Sequence, residues 1–141
     1  MVAYLDSSVA LRHILLGEEA IRHVLACDKV IAAELLEIEC RRVLHRYRLN
    51  GDLDDTGLIE ALRRLEEILT GVSLLILSDA VKQKASGPFP VIVRTLDALH
   101  LASAQVFSER YTDKKVLIFS HNRAMNRCAA VLGFTAPFYN R

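Results

Sequence analysis

Residues 2–11 read VAYLDSSVAL, and the fold depends on how this stretch divides. Val2, Tyr4 and Leu5 have the character of a short buried strand. Asp6 stops it, Ser7 and Ser8 turn the chain, and Val9, Ala10 and Leu11 open a second apolar run. A carboxylate wedged between two apolar segments is costly unless something compensates its charge. Asp6 therefore marks either a helix start or a site.

Working outward, the same alternation recurs. Lys29–Ala32 is expected as a second strand and Val72–Leu77 as a third, with Val116–Phe119 as a fourth. Helices are expected over Ser8–Leu15, Glu18–Ala26 and Glu34 to about Leu49. Further helices should run from Asp54 or Asp55 to Gly71, after Ser78 or Asp79, over Thr95–Ser108, and from about Asn122 to Leu132. The segment SGPFP at residues 86–90 is the clearest loop. Thr135–Tyr139 is a candidate edge strand. Short apolar strands alternating with helices indicate an α/β domain with a parallel sheet covered on both faces. In such sheets, sites form at the carboxyl ends of the strands. Asp6 lies at the end of the first strand, and Ser120, His121 and Asn122 at the end of the fourth.

The totals narrow the class. The chain has 141 residues, the length of one domain, and is 52% apolar. No apolar run approaches the ~18 residues of a membrane span. There is no basic leader before Asp6, so a secretory signal peptide is not expected. Three cysteines, Cys27, Cys40 and Cys128, lack metal-ligand spacing and read as buried free thiols of a cytoplasmic protein. A net charge of +1 gives no global attraction to a polyanion, so any such site must come from local clustering.

Two further carboxylates stand out. In the helix after the second strand, Leu36, Cys40, Val43, Leu44 and Tyr47 form an apolar stripe. Glu39 borders it, Glu34 and Glu37 point further out, and Arg42 and Arg46 share the Glu39 edge. In TLDALHLASAQV, residues 95–106, apolar residues run nearly all the way round. Asp97 there shares a face with Leu101 and Ala104. Singly, each acid has a plainer reading. Asp6 can cap a helix, Glu39 can pair with Arg42, Asp97 can complement a helix dipole, and 120–122 can be a turn. Jointly they say more. Two carboxylates ~4 Å apart repel by about 4 kcal/mol at an effective dielectric of 20. Hard oxygen ligands without paired His or Cys favour Mg²⁺ or Mn²⁺, which would relieve that repulsion and activate water against a phosphodiester.

YLDSSVAL, AAELLEIECRRVL, TLDALHLASA and IFSHNRAM, in this order, resemble the PIN-domain ribonucleases. They are most similar to the VapC-type toxins of bacterial and archaeal toxin–antitoxin pairs, over nearly the whole chain. The resemblance implies a three-layer α/β/α sandwich around a mostly parallel sheet of four or five strands. It implies Mg²⁺- or Mn²⁺-dependent cleavage of RNA, a homodimer, and a cognate antitoxin that occludes the cleft. Asp6, Glu39 and Asp97 match the family's first three acids, with Asp6 and Asp97 as metal ligands. Asn122 stands where the fourth acid is usual, so a single ion is expected in the free protein. Ser8 follows the family's small-hydroxyl pattern. Ser8 and Ser120, with Arg12, Arg42, Arg46 and Arg94, are the residues expected to meet substrate. Arg41, His45 and Arg48 are expected on the solvated side of their helix, and His121 is a lone candidate for proton transfer. The loss of the fourth acid keeps a second function in view, a catalytically weak PIN-like module that binds RNA or a partner. A receiver-type phosphoacceptor domain fits less well, because the prominent aspartate is on the first strand and no Lys follows a later one.

Overall fold

A computed structural model of the chain describes residues 1–139. Four strands form the sheet: β1 (Val2–Leu5), β2 (Lys29–Ala33), β3 (Ser73–Leu75) and β4 (Val116–Phe119). All are parallel, in the order β3-β2-β1-β4, so β1 and β4 are neighbours. Tyr4 pairs with Ile31 on one side and Ile118 on the other.

Side-chain alternation divides the strands between two cores. Ala3, Leu5, Val30, Ala32, Leu117 and Phe119 face one side, under α1 (Ser7–Leu16), α2 (Ile21–Leu25), α3 (Leu35–Leu49) and α4 (Asp55–Thr70). Val2, Tyr4, Ile31, Ala33, Val116 and Ile118 face the other, under α6 (Thr95–Arg110) and α7 (Arg123–Val131). The short α5 (Asp79–Ser86) packs on α6. This is a sheet covered on both faces, as the near-continuous apolar strands require.

Local signals fix the helix ends. Asp54 accepts from the Gly57 N–H at 2.7 Å and Ser78 from the Val81 N–H, capping α4 and α5. Gly17 closes α1 in the left-handed region, φ +66°, and the Glu18 N–H folds back to the Arg12 carbonyl. That closure delays α2 to Ile21, so Glu18 is irregular and Glu19 and Ala20 are turn, not the expected helix. The stripe Leu58, Leu62, Leu65 and Leu69 of α4 packs on the first core.

Further expectations are corrected. No fifth strand forms at 135–139. Thr135 makes one isolated bridge to Leu117, and Pro137, which has no N–H to donate, leads into a turn that buries Phe138. The third strand is shorter than Val72–Leu77 because Glu34 ends it. The Glu34 N–H donates to the Leu75 carbonyl, and its carboxylate accepts from the Leu77 N–H at 3.1 Å. Glu34 therefore turns inward to the sheet end and not outward. The three cysteines are free, with Cys40 and Cys128 buried and Cys27 half-buried. Burial pushes the Cys40 thiol up to about 12, which leaves it inert at neutral pH.

Leu65 is fully buried and Ile59 of the same helix is 69% exposed. Leu65→Ala should cost about 2–5 kcal/mol of unfolding free energy in urea titrations, and Ile59→Ala less than about 0.5 kcal/mol. Equal losses would contradict the packing of α4.

Candidate active site

Asp6 occupies the N-cap position of α1, yet its side chain makes no capping bond. Its Oδ2 accepts two hydroxyl protons instead, from Ser8 at 2.6 Å and Ser120 at 2.8 Å. Each hydroxyl is itself engaged by a backbone donor. The His121 N–H donates to Ser8 Oγ and the Asn122 N–H to Ser120 Oγ. A hydroxyl has one proton. With an N–H directed at its oxygen, that proton is aimed at the carboxylate. Oδ1 of Asp6 makes no hydrogen bond to the described residues.

Asp97 lies in the first turn of α6. Its Oδ2 accepts from Asn122 Nδ2 at 3.1 Å, while Asn122 Oδ1 accepts from the Met125 N–H and caps α7. The cap fixes the amide orientation, because only the oxygen can accept. Asn122 thus turns its nitrogen to the acid and its carbonyl away, so it is not poised as a metal ligand. Burial first, and the Asp6 charge second, push the Asp97 carboxyl above the usual range.

Glu39, in the second turn of α3, does not pair with Arg42. Its Oε1 meets His100 Nε2 at 2.5 Å. His100 is fully buried and its Nδ1 meets the Tyr4 hydroxyl at 2.6 Å. Burial disfavours the imidazolium, but the Glu39 hydrogen bond and the charges of Asp6, Glu39 and Asp97 outweigh it, raising the His100 pKa.

The structure thus brings Asp6, Asp97, Glu39 and Asn122 to one end of the sheet, from the ends of β1 and β4 and the starts of α3 and α6. Ser120 has no exposed surface, so it holds Asp6 and does not meet a substrate. Ser8 has the same task. A cleft of about 820 Å³ is lined by Ser7, by Glu39, Arg42, His45 and Arg46 of α3, and by Leu96 of α6. His45 lines it, contrary to the expectation that it faces away. Arg41 pairs with Glu37 and Glu66, and Arg48 with Asp55, so these two are engaged on the α3–α4 surface. Arg42, Arg46 and Arg94 are exposed and make no ion pair among the described residues. Arg12 pairs loosely with Glu18 at 3.7 Å. His121 stacks flat on Phe138, and burial together with Arg12 lowers its pKa.

Among the described residues, no three His, Cys, Asp or Glu side chains form a ready metal cage. What the site offers is two carboxylates, each with one oxygen that makes no hydrogen bond among the described residues, Asp97 being raised in pKa first by burial and then by the Asp6 charge. That donor set fits a largely hydrated Mg²⁺ or Mn²⁺, which needs only one or two carboxylates. It does not fit a site that must supply three or four protein ligands.

No protein-family model matches the sequence, and no curated protein matches it significantly. A solved structure does. The VapBC2 complex from Rickettsia felis, bound to a DNA fragment from their promoter, aligns with a TM-score of 0.62, over 91% of this chain and 93% of that one. The fold is PIN-like. At 11% sequence identity the likeness is one of architecture.

Within this PIN-like frame, sequence reasoning missed Tyr4 and His100. One signal was available. A tyrosine on a strand buried on both faces must find a partner for its hydroxyl.

Asp97 has a raised folded pKa, so its ionised form opposes folding at neutral pH, and protonation relieves that cost as pH falls through the folded value. In EDTA, Asp97→Asn should raise Tm at pH 7, and the gain should shrink toward acid pH. A lower Tm at pH 7, with the difference unchanged at acid pH, would contradict the placement of Asp97 against Asp6.

Proposed function

We propose that this protein is a metal-dependent endoribonuclease of the VapC toxin type, which hydrolyses RNA phosphodiester bonds and is held in check by an antitoxin. One observation carries the reading. Asp6 at the end of β1 and Asp97 at the start of α6 are joined through the 120–122 segment, Ser120 donating to Asp6 and Asn122 to Asp97, and each keeps one carboxylate oxygen without a hydrogen bond among the described residues.

Asp6 and Asp97 would hold Mg²⁺ or Mn²⁺. Bound there, the ion would supply an activated water and neutralise charge on the phosphodiester. The protein's own groups do the rest. Ser8 and Ser120 keep Asp6 oriented, and Asn122 keeps Asp97 oriented. Glu39 takes the proton from the attacking water. Arg42 and Arg46, with His45 between them, draw the RNA backbone along α3 by charge, and Arg12 and Arg94 extend that field. Leu96 and Ile38 give bases an apolar wall. The fold neighbour VapBC2 is bound to promoter DNA, which supports a partnered state for this chain. The partner would be an antitoxin segment over the cleft of a homodimer, in the cytoplasm.

A second reading has its own observation. Asn122 brings no charge where a fourth acid would add one, and it takes a lone pair of Asp97. A chain so poor in negative charge could bind RNA or a partner without cutting it efficiently.

Incubation with structured RNA should give cleavage that EDTA abolishes and Mn²⁺ restores, with Asp6→Asn lower by about a hundredfold or more. Retained binding without cleavage would select the second reading. Calorimetric titration with Mn²⁺ in the absence of RNA should show one site, tightened in Asn122→Asp. Two tight sites in the unmodified protein would overturn the charge argument.

A further inference from the structure

Behind Glu39 a line of hydrogen bonds runs back into the sheet. The Ala33 N–H donates to the Tyr4 hydroxyl oxygen at 3.1 Å. Tyr4 meets His100 Nδ1 at 2.6 Å, and His100 Nε2 meets Glu39 Oε1 at 2.5 Å. Four elements contribute, β2, β1, α6 and α3. Tyr4 and His100 have no exposed surface, while Glu39 lines the cleft.

We propose that Tyr4 and His100 are positioning residues that fix the Glu39 carboxylate at the cleft, with the sheet as their anchor. Proton counting supports one direction for the chain. A carboxylate only accepts, so a neutral His100 ring carries its one hydrogen on Nε2 and leaves Nδ1 bare to take the Tyr4 proton, while the Ala33 N–H takes a lone pair of the Tyr4 oxygen. His100 Nε2 donates its hydrogen to Glu39. A second proton on His100 leaves that last bond intact. Nδ1–H would donate to Tyr4, and Tyr4 would turn its proton to Ser103, whose own proton is committed to the Leu99 carbonyl. The tautomer with a bare Nε2 would set a lone pair against the Glu39 carboxylate and lose this bond. Glu39 therefore receives an N–H whatever the charge of the ring. Direct pairing with Arg42, one turn along the exposed face, would move the carboxylate out of line. A buried clamp also costs Glu39 less ordering entropy than a mobile surface partner would.

The catalytic consequence rests on the ribonuclease reading, whereas the clamp itself does not, and the two are tested separately. Long-range ¹H–¹⁵N spectra of the imidazoles, recorded on the full chain without metal or RNA, should show a protonated Nε2 on His100. Tyr4→Phe, which keeps the ring and loses only the hydroxyl, should shift the His100 Nδ1 resonance. A bare Nε2, or no shift in Tyr4→Phe, overturns the clamp. With RNA, Tyr4→Phe should lower kcat about tenfold and leave KM within about twofold. His100→Gln, which can still present an N–H, should retain more activity than His100→Leu. In a Glu39→Gln background Tyr4→Phe should cost nothing further. An additive loss, or an equal effect on kcat and KM, overturns the positioning role. If the unmodified protein cuts no RNA while the spectra are as expected, the ribonuclease reading falls and the clamp stands.

Discussion

The Asp6 carboxylate at the end of the central strand is the constraint around which this end of the molecule is arranged. A charge at 5% exposure has to be met by donors, and the chain meets it with two serines from different segments. Ser8 comes from α1 and Ser120 from the end of β4, and each is oriented by an amide of the 121–122 turn. The acid thereby ties β1, α1, β4 and the start of α7 into one network. Replacing either hydroxyl with a methyl would leave a lone pair of a buried carboxylate unmet, a cost of about 1–3 kcal/mol.

Around that network the acids are held in different ways. Asp6 is anchored by hydroxyls, Asp97 by an amide and Glu39 by an imidazole. Among the described residues none is neutralised by Arg or Lys in an ion pair, although four arginines lie on α3 alone. Two of these, Arg41 and Arg48, are spent on structural pairs with α4 or within α3. Arg42 and Arg46 keep their charge for solvent or ligand. The negative end of the sheet and the positive flank of α3 thus sit side by side without cancelling.

Much of this was legible in the sequence, for physical reasons that can be named. The strands are short and apolar on both faces, which signals a covered parallel sheet, and Asp54, Ser78 and Asn122 stand where helix caps belong. The stop at Asp6 and the buried face carrying Asp97 were equally visible, because period-2 and period-3.6 patterns are local. What was not legible is non-local. Tyr4 and His100 are 96 residues apart, and neither position carries a local signal of the other. The inward turn of Glu34 depends on where β3 ends, and the early end of β3 depends on Glu34. Burial of Ser120 follows from Asp6, 114 residues away. The edge strand expected at 135–139 failed because β propensity yields to the anchoring of one aromatic ring.

That last segment has a consequence for the company the sheet can keep. Thr135 takes the Ile118 N–H and bridges Leu117, so the outer edge of β4 is partly occupied by the chain itself. Phe138, packed edge-on against Phe119 and flat against His121, pins the cover in place. The opposite edge, β3, is three residues long and ends at Glu34. A parallel sheet with one border roofed over and the other cut short offers an intruding strand almost no ladder to climb. Along the described residues, a strand added from outside would find little open backbone at either edge.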